Sequence, residues 1–179
     1  PNCGHNLSFL DASIENGQII NAEATCTCGY QASIMNGILI TEGRNISELD
    51  SPDLDRKFFK DLPASWVTLF QKSYNWIYNR MKDMDLKHNT VMETHINCDF
   101  FLYTVLGKLE KDALYIISDK YLEIVTLYKE LIESQNLGLK ILFLADSSFR
   151  YPLKKDCVDL YIDYCAMNEY SIFDTEQDL

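Results

Sequence analysis

The sequence predicts an α/β chain in which a small β-hairpin module precedes strands that alternate with helices. Three observations carry this reading. Two Asn-Gly pairs, Asn16-Gly17 and Asn36-Gly37, each sit between apolar runs. Cys3, Cys26 and Cys28 gather around those same runs. From residue 88 onward, short apolar stretches alternate with amphipathic ones. The chain accordingly divides into a β module over 1–45, a linker and helical segment over 46–86, and a parallel-sheet domain over 87–179.

Asn-Gly is a strong hairpin signal because both residues tolerate the positive φ that a two-residue turn demands. Ser13-Ile14 and Ile19-Ile20 flank the first pair, and Ile34-Met35 and Ile38-Leu39-Ile40 flank the second. Gly43, Asn45, Ser47, Ser51 and Pro52 then mark a linker. Leu54, Phe58, Leu62, Trp66, Phe70, Ile77, Met81 and Met84 recur at helical steps, which predicts helix over 54–84 with a break near Pro63. Asp61 is placed to cap a new helix there, with Pro63 in its first turn.

The second half reads as strand, helix, strand, helix, strand, strand. Thr90–Thr94 is the first strand. A helix follows through Phe100, Phe101, Val105 and Leu109, with Asp99 as its cap. Leu114–Ile117 is the second strand. The next helix runs through Leu122, Val125, Leu127, Leu131 and Ile132, is capped by Ser118 or Asp119, and stops before Gly138. Leu139–Ala145 is a third, strongly apolar strand, and Val158–Tyr164 alternates as a fourth. This alternation is the signature of a parallel sheet with helices on its faces.

Charge narrows the function classes. The formal net charge is −11, and after Lys155 there is no Lys or Arg, whereas seven acids follow from Asp156 to Asp178. A nucleic-acid binder gains affinity by neutralising phosphates from a basic patch. None is evident here, and the overall field repels RNA, DNA and anionic lipid. No apolar run reaches the roughly 20 residues a membrane span needs, and no signal peptide is visible. Six cysteines, three clustered and three scattered among apolar residues, fit a cytoplasmic chain with a metal site rather than a secreted disulfide scaffold.

Cys26-Thr27-Cys28-Gly29 is a tight thiolate pair whose glycine lets backbone N–H groups turn toward sulfur. Pro1-Asn2-Cys3-Gly4 ends the same way and reads as the tail of a Cys-Pro-x-Cys-Gly knuckle. Structural zinc takes four sulfur or nitrogen ligands in a tetrahedron. Cys3, Cys26 and Cys28 supply three. The fourth is expected from a cysteine just before residue 1, or from His5. Three ordinary cysteines in a β-rich stretch are the plain alternative. If the metal is needed, the first 45 residues should be loose without it.

Three segments of the second half, in order, resemble class I S-adenosylmethionine-dependent methyltransferases. With the Cys-rich start, they resemble most the ribosomal-RNA guanine methyltransferase type, which carries a zinc knuckle ahead of a Rossmann-like domain. The resemblance spans roughly residues 85–170. The first segment is Val91-Met92-Glu93-Thr94-His95-Ile96-Asn97-Cys98-Asp99. Glu93 matches the acid that ends the family's first strand, and His95, Asn97 and Asp99 stand where its loop has glycines. The second is Tyr115-Ile116-Ile117-Ser118-Asp119. There Asp119 matches the acid that holds ribose hydroxyls, with a helix N-cap as its alternative role. The third is Leu144-Ala145-Asp146, then Tyr151-Pro152-Leu153 and Val158-Asp159, and Asp146 matches the residue that meets the adenine amino group.

The resemblance implies a Rossmann-like, methyltransferase-type sheet, partial in this chain, preceded by a zinc-ribbon-like β-hairpin module. It implies zinc as a structural metal and S-adenosylmethionine as cofactor, held by Glu93, His95, Asn97, Asp99, Asp119 and Asp146. The implied activity is methyl transfer to a small-molecule or protein substrate, with no catalytic group identified by the match. The lost glycines leave a second class open, a non-catalytic module that keeps the fold for binding or scaffolding. The family's further strands are not matched, so a partner, another copy or a further segment is expected to cover the sheet edge.

Overall fold

Both Asn-Gly pairs turn the chain as the sequence predicts. In the computed structural model, which describes residues 3–41, 63–96, 100–146 and 151–163, Asn16 and Gly17 have φ of 50° and 79°, and Asn36 and Gly37 have φ of 53° and 73°. Positive φ at both central residues matches the right-handed twist of the strands they join. The first pair links β1 (Ser8–Glu15) to β2 (Gln18–Thr25), and the second links β3 (Gln31–Met35) to β4 (Ile38–Thr41). Pairing runs antiparallel through all four strands, with Ile14 opposite Ile19 and Met35 opposite Ile38.

The second half supplies β5 (Thr90–Thr94), β6 (Leu114–Asp119), β7 (Lys140–Ala145) and β8 (Leu160–Asp163). Each strand falls where the apolar runs predict it. The four are mutually parallel in the order β7-β6-β5-β8, so the third, second, first and fourth lie side by side. The hairpins and this parallel set are not separate sheets. β4 pairs in parallel with β7, Ile38 beside Phe143 and Ile40 beside Ala145, which makes one mixed sheet of eight described strands.

Burial of the parallel strands on both faces explains their nearly unbroken apolar runs. Val91, Tyr115, Ile117 and Phe143 face one core with Phe101, Ile124, Val125 and Tyr128. Met92, Ile116, Leu144 and Leu39 face the other, over which Tyr30, Tyr151, Leu153 and Val158 pack. Each fully buried side chain of this size contributes about 1.5–3 kcal/mol.

Among the described residues the helices are α1 (Ala64–Met81), α2 (Phe101–Thr104) and α3 (Leu122–Glu133). Pro63 stands at the N-cap of α1 rather than in its first turn; Asp61 lies outside the described residues. Tyr74 of α1 meets Phe101 of α2 with ring centroids 5.7 Å apart, tying the helix to the core. The helix expected over 100–109 is instead four residues of α-helix and a 3₁₀ turn, Leu106–Lys108. The Thr104 hydroxyl donates back to the Phe101 carbonyl at 2.7 Å, and Gly107 follows, so the ladder does not propagate. Helix α3 has Tyr121 at its N-cap, not Ser118 or Asp119, both of which remain in β6. Asn136 and Gly138, at φ of 49° and 68°, carry the chain from α3 toward β7.

Candidate functional site

Parallel pairing sets the C-terminal ends of β5, β6 and β7 at one edge, and that edge is polar although buried. Thr94 pairs with Ser118, Ser118 with Leu144 and Asp119 with Ala145. Glu93, Thr94, His95, Ser118, Asp119 and Asp146 are all buried there. The backbone continues the register past the strands. The His95 N–H donates to the Ser118 carbonyl at 2.9 Å, and the Asp146 N–H to the Asp119 carbonyl at 3.0 Å. Three acids expected at strand ends are thus brought to one edge.

Their local roles differ. Glu93 is turned into the protein: its Oε1 accepts the Phe101 N–H at 2.7 Å and its Oε2 accepts the Leu102 N–H at 2.8 Å. It does for α2 what a capping side chain does, since the helix's own N-cap, Phe100, has no side chain to offer. Burial pushes the Glu93 carboxyl up to about 8, against the pull of these two N–H donors. Asp119 accepts the Tyr121 N–H at 2.9 Å through Oδ1, which fixes the chain just ahead of α3. Asp119 thus steadies the entry to the helix without being its N-cap residue, which is Tyr121. Asp146 is 2 % exposed at the head of the loop after β7.

His95 occupies the first of the glycine-like positions with φ of 59°. A bulky residue in the left-handed region is strained, whereas glycine is not. The loop therefore follows a glycine-type path there with an imidazole on it, and the side chain is buried. Asn97 and Asp99 lie outside the described residues. Beside this edge the order of strands reverses between β5 and β8. Across that step Thr94 Oγ1 and the Tyr161 hydroxyl sit 2.9 Å apart, a pair that sequence reading did not single out because its members are 67 positions apart.

A second cluster lies at the hairpin module. Sγ of Cys3 and Cys26 are 3.3 Å apart. Cys3, His5 and Cys26 bring their ligand atoms within 4.8 Å of one another, a group able to hold a metal ion. Gly4 and Gly29, at φ of 70° and 89°, let the chain fold back behind each knuckle. The Cys28 N–H points at the Cys26 sulfur, and together with the Cys3, Cys28 and Thr27 side chains it lowers the Cys26 thiol to about 7 against its burial. The Cys3 thiol is pulled down by the His5 N–H but raised on balance by burial and by its Cys28 and Cys26 neighbours. Cys28, expected as the third thiolate ligand, stands outside this tightest group. His5 stands inside it, its Nδ1 3.1 Å from the Thr27 hydroxyl.

Among the described residues no helix is long and apolar enough to cross a membrane. No family model, curated protein or solved structure matches the chain.

Proposed function

We propose that the edge formed by β5, β6 and β7 is a nucleoside site of the S-adenosylmethionine-dependent methyltransferase type, on a Rossmann-like sheet. The observation that carries this reading is the strand order. Third, second, first and fourth parallel strands lie side by side, with an acid at the C-terminal end of each of the first three. In open α/β sheets ligands bind outside the carboxyl ends of the strands, where the order reverses. The residues fit the group in backbone path and donor placement: His95 holds the glycine-like φ, and Asp119 and Asp146 stand on neighbouring strand ends. In this reading Asp119 holds the ribose hydroxyls and Asp146 the adenine amino group. His95, Asn97 and Asp99 flank the methionine part. Glu93 sets the loop through α2. The bound cofactor would supply an activated methyl group for a small-molecule or protein acceptor.

The same reading assigns a structural zinc to Cys3, Cys26 and Cys28, with His5 as fourth ligand. Three thiols and an imidazole are a donor set suited to tetrahedral zinc, and the proximity of Cys3, His5 and Cys26 supports it.

A second reading is favoured by burial. Asp119 and Asp146 are each 2 % exposed and His95 is 4 % exposed, so these groups are closed off from solvent. On that reading the chain keeps the fold as a binding or scaffolding module and takes no nucleoside.

Calorimetric titration of the zinc-loaded protein with S-adenosylmethionine and S-adenosylhomocysteine separates the two. Micromolar binding that is lost in Asp119→Ala supports the first. No heat at millimolar ligand, from protein whose circular dichroism shows it folded, removes it.

A further inference from the structure

A groove lies between α1 and β8, on the side of β5 opposite β6. It encloses about 620 Å³ and is floored by Leu160–Asp163, with Trp76, Ile77, Met81 and Met84 as its apolar wall. Trp76 is 63 % exposed and Tyr161 48 %, large apolar surfaces for a folded chain to leave to water. β8 pairs with β5 on one side, and among the described residues no strand pairs with it on the other. An open strand edge beside an apolar groove suits an extended segment, which can satisfy backbone groups while burying alternate side chains.

Charge selects the occupant. Lys72 and Arg80 both line this groove. In a chain of net charge −11, among the described residues neither makes an ion pair; Arg80 instead lies over the Trp76 ring at 5.5 Å. Two cations against one acid of the lining, Asp163, leave the apolar groove net positive and favour an acidic, apolar partner. Residues 164–179 have that chemistry. They contain Glu169, Asp174, Glu176 and Asp178, no Lys or Arg, with Met167 ahead of the acids and Tyr170, Ile172 and Phe173 among them. They also begin where the groove's floor ends, at Asp163. Sixteen residues reach roughly 50 Å when extended, whereas the stretch of α1 from Lys72 to Met81 spans only about 14 Å.

We propose that the groove between α1 and β8 is the docking site of the chain's own acidic segment 164–179, its apolar side chains in the groove and its carboxylates toward Lys72 and Arg80. This would remove the exposed edge of β8 from pairing with other molecules. It does not depend on whether a nucleoside binds at the opposite side of β5.

Zero-length carbodiimide coupling of the full chain tests this, with the linked peptides identified by mass spectrometry. A 1:1 mixture of ordinary and ¹⁵N-labelled protein distinguishes links within a chain from links between chains. Lys129 and Glu133, 2.7 Å apart, serve as the internal positive control. The expected result is a link within one chain from Lys72 to an acid of 164–179. Its yield should fall several-fold in Trp76→Ala, an exposed position whose truncation leaves the core intact. If the control pair links and Lys72 does not couple to that segment, the proposal is overturned. If Lys72 couples to it only between differently labelled chains, a second copy occupies the groove and the proposal is likewise wrong.

Discussion

The carboxylate of Glu93 is the N-terminal cap of a helix eight residues further on: one oxygen takes the Phe101 N–H at 2.7 Å and the other the Leu102 N–H at 2.8 Å. The end of β5 and the start of α2 are thereby locked together.

Glu93 should make stability fall as pH rises. Its carboxyl titrates near 8 in the folded protein against 4.5 in the unfolded reference, so the folded state binds the proton more tightly. The contribution is complete below about pH 4.5 and is lost as pH climbs toward 8, by an amount on the order of a few kcal/mol. Glu93→Gln removes the titration while keeping the shape. Melting temperatures from pH 5 to pH 8 should slope downward in the natural protein and less so in the variant. Parallel slopes would refute the assignment.

Metal removal should loosen the hairpins more than the parallel strands. The cluster ties Cys3 and His5, ahead of β1, to Cys26 beyond β2, and such small modules draw their folding energy from the metal. Elemental analysis should give about one zinc per chain. Hydrogen exchange after chelation should quicken over residues 8–41 with the amides of β5 and β6 less affected. A Cys26→Ser protein that retains full zinc would contradict the ligand assignment.

On the proposed nucleoside reading, the His95 side chain is the departure from the glycine loop that a single substitution can remove. Its φ of 59° suits glycine, and its buried imidazole sits on the glycine-like path. His95→Gly should relieve about 1 kcal/mol of backbone strain while losing side-chain packing, leaving net stability little changed. It should tighten S-adenosylmethionine binding measurably by calorimetry. Unchanged affinity in a folded variant would count against a nucleoside site at this edge.

The second Asn-Gly turn should be sensitive because it positions the strand that joins the two halves. Gly37 has φ of 73°, and a Cβ there would lie 3.3 Å from Cε of Lys129. Gly37→Ala should cost about 1–2 kcal/mol in urea denaturation through the left-handed backbone alone. Gly17, with open space around it, should cost no more than that. A Gly37→Ala protein as stable as the natural one would show that the turn is not constrained as described.

What the sequence determined by itself was local. Asn16-Gly17 and Asn36-Gly37 dictate their turns because φ > 0 is a property of two adjacent residues. The runs at Thr90–Thr94 and Leu114–Asp119 announce strands because a sheet buried on both faces leaves no room for polar residues until its ends. The acids at 93, 119 and 146 stand out through the methyltransferase resemblance, and Cys3, Cys26 and Cys28 through the spacing of their Cys-Gly knuckles. Tertiary structure decided what depends on distant partners. It joined β4 to β7, drew His5 in beside Cys3 and Cys26, and spent Glu93 on capping α2. It also set Lys72 and Arg80 over the edge of β8. Those outcomes rest on contacts between residues far apart in the chain, whose closure is set by the packing of the whole sheet and leaves no periodic trace in either partner's neighbourhood.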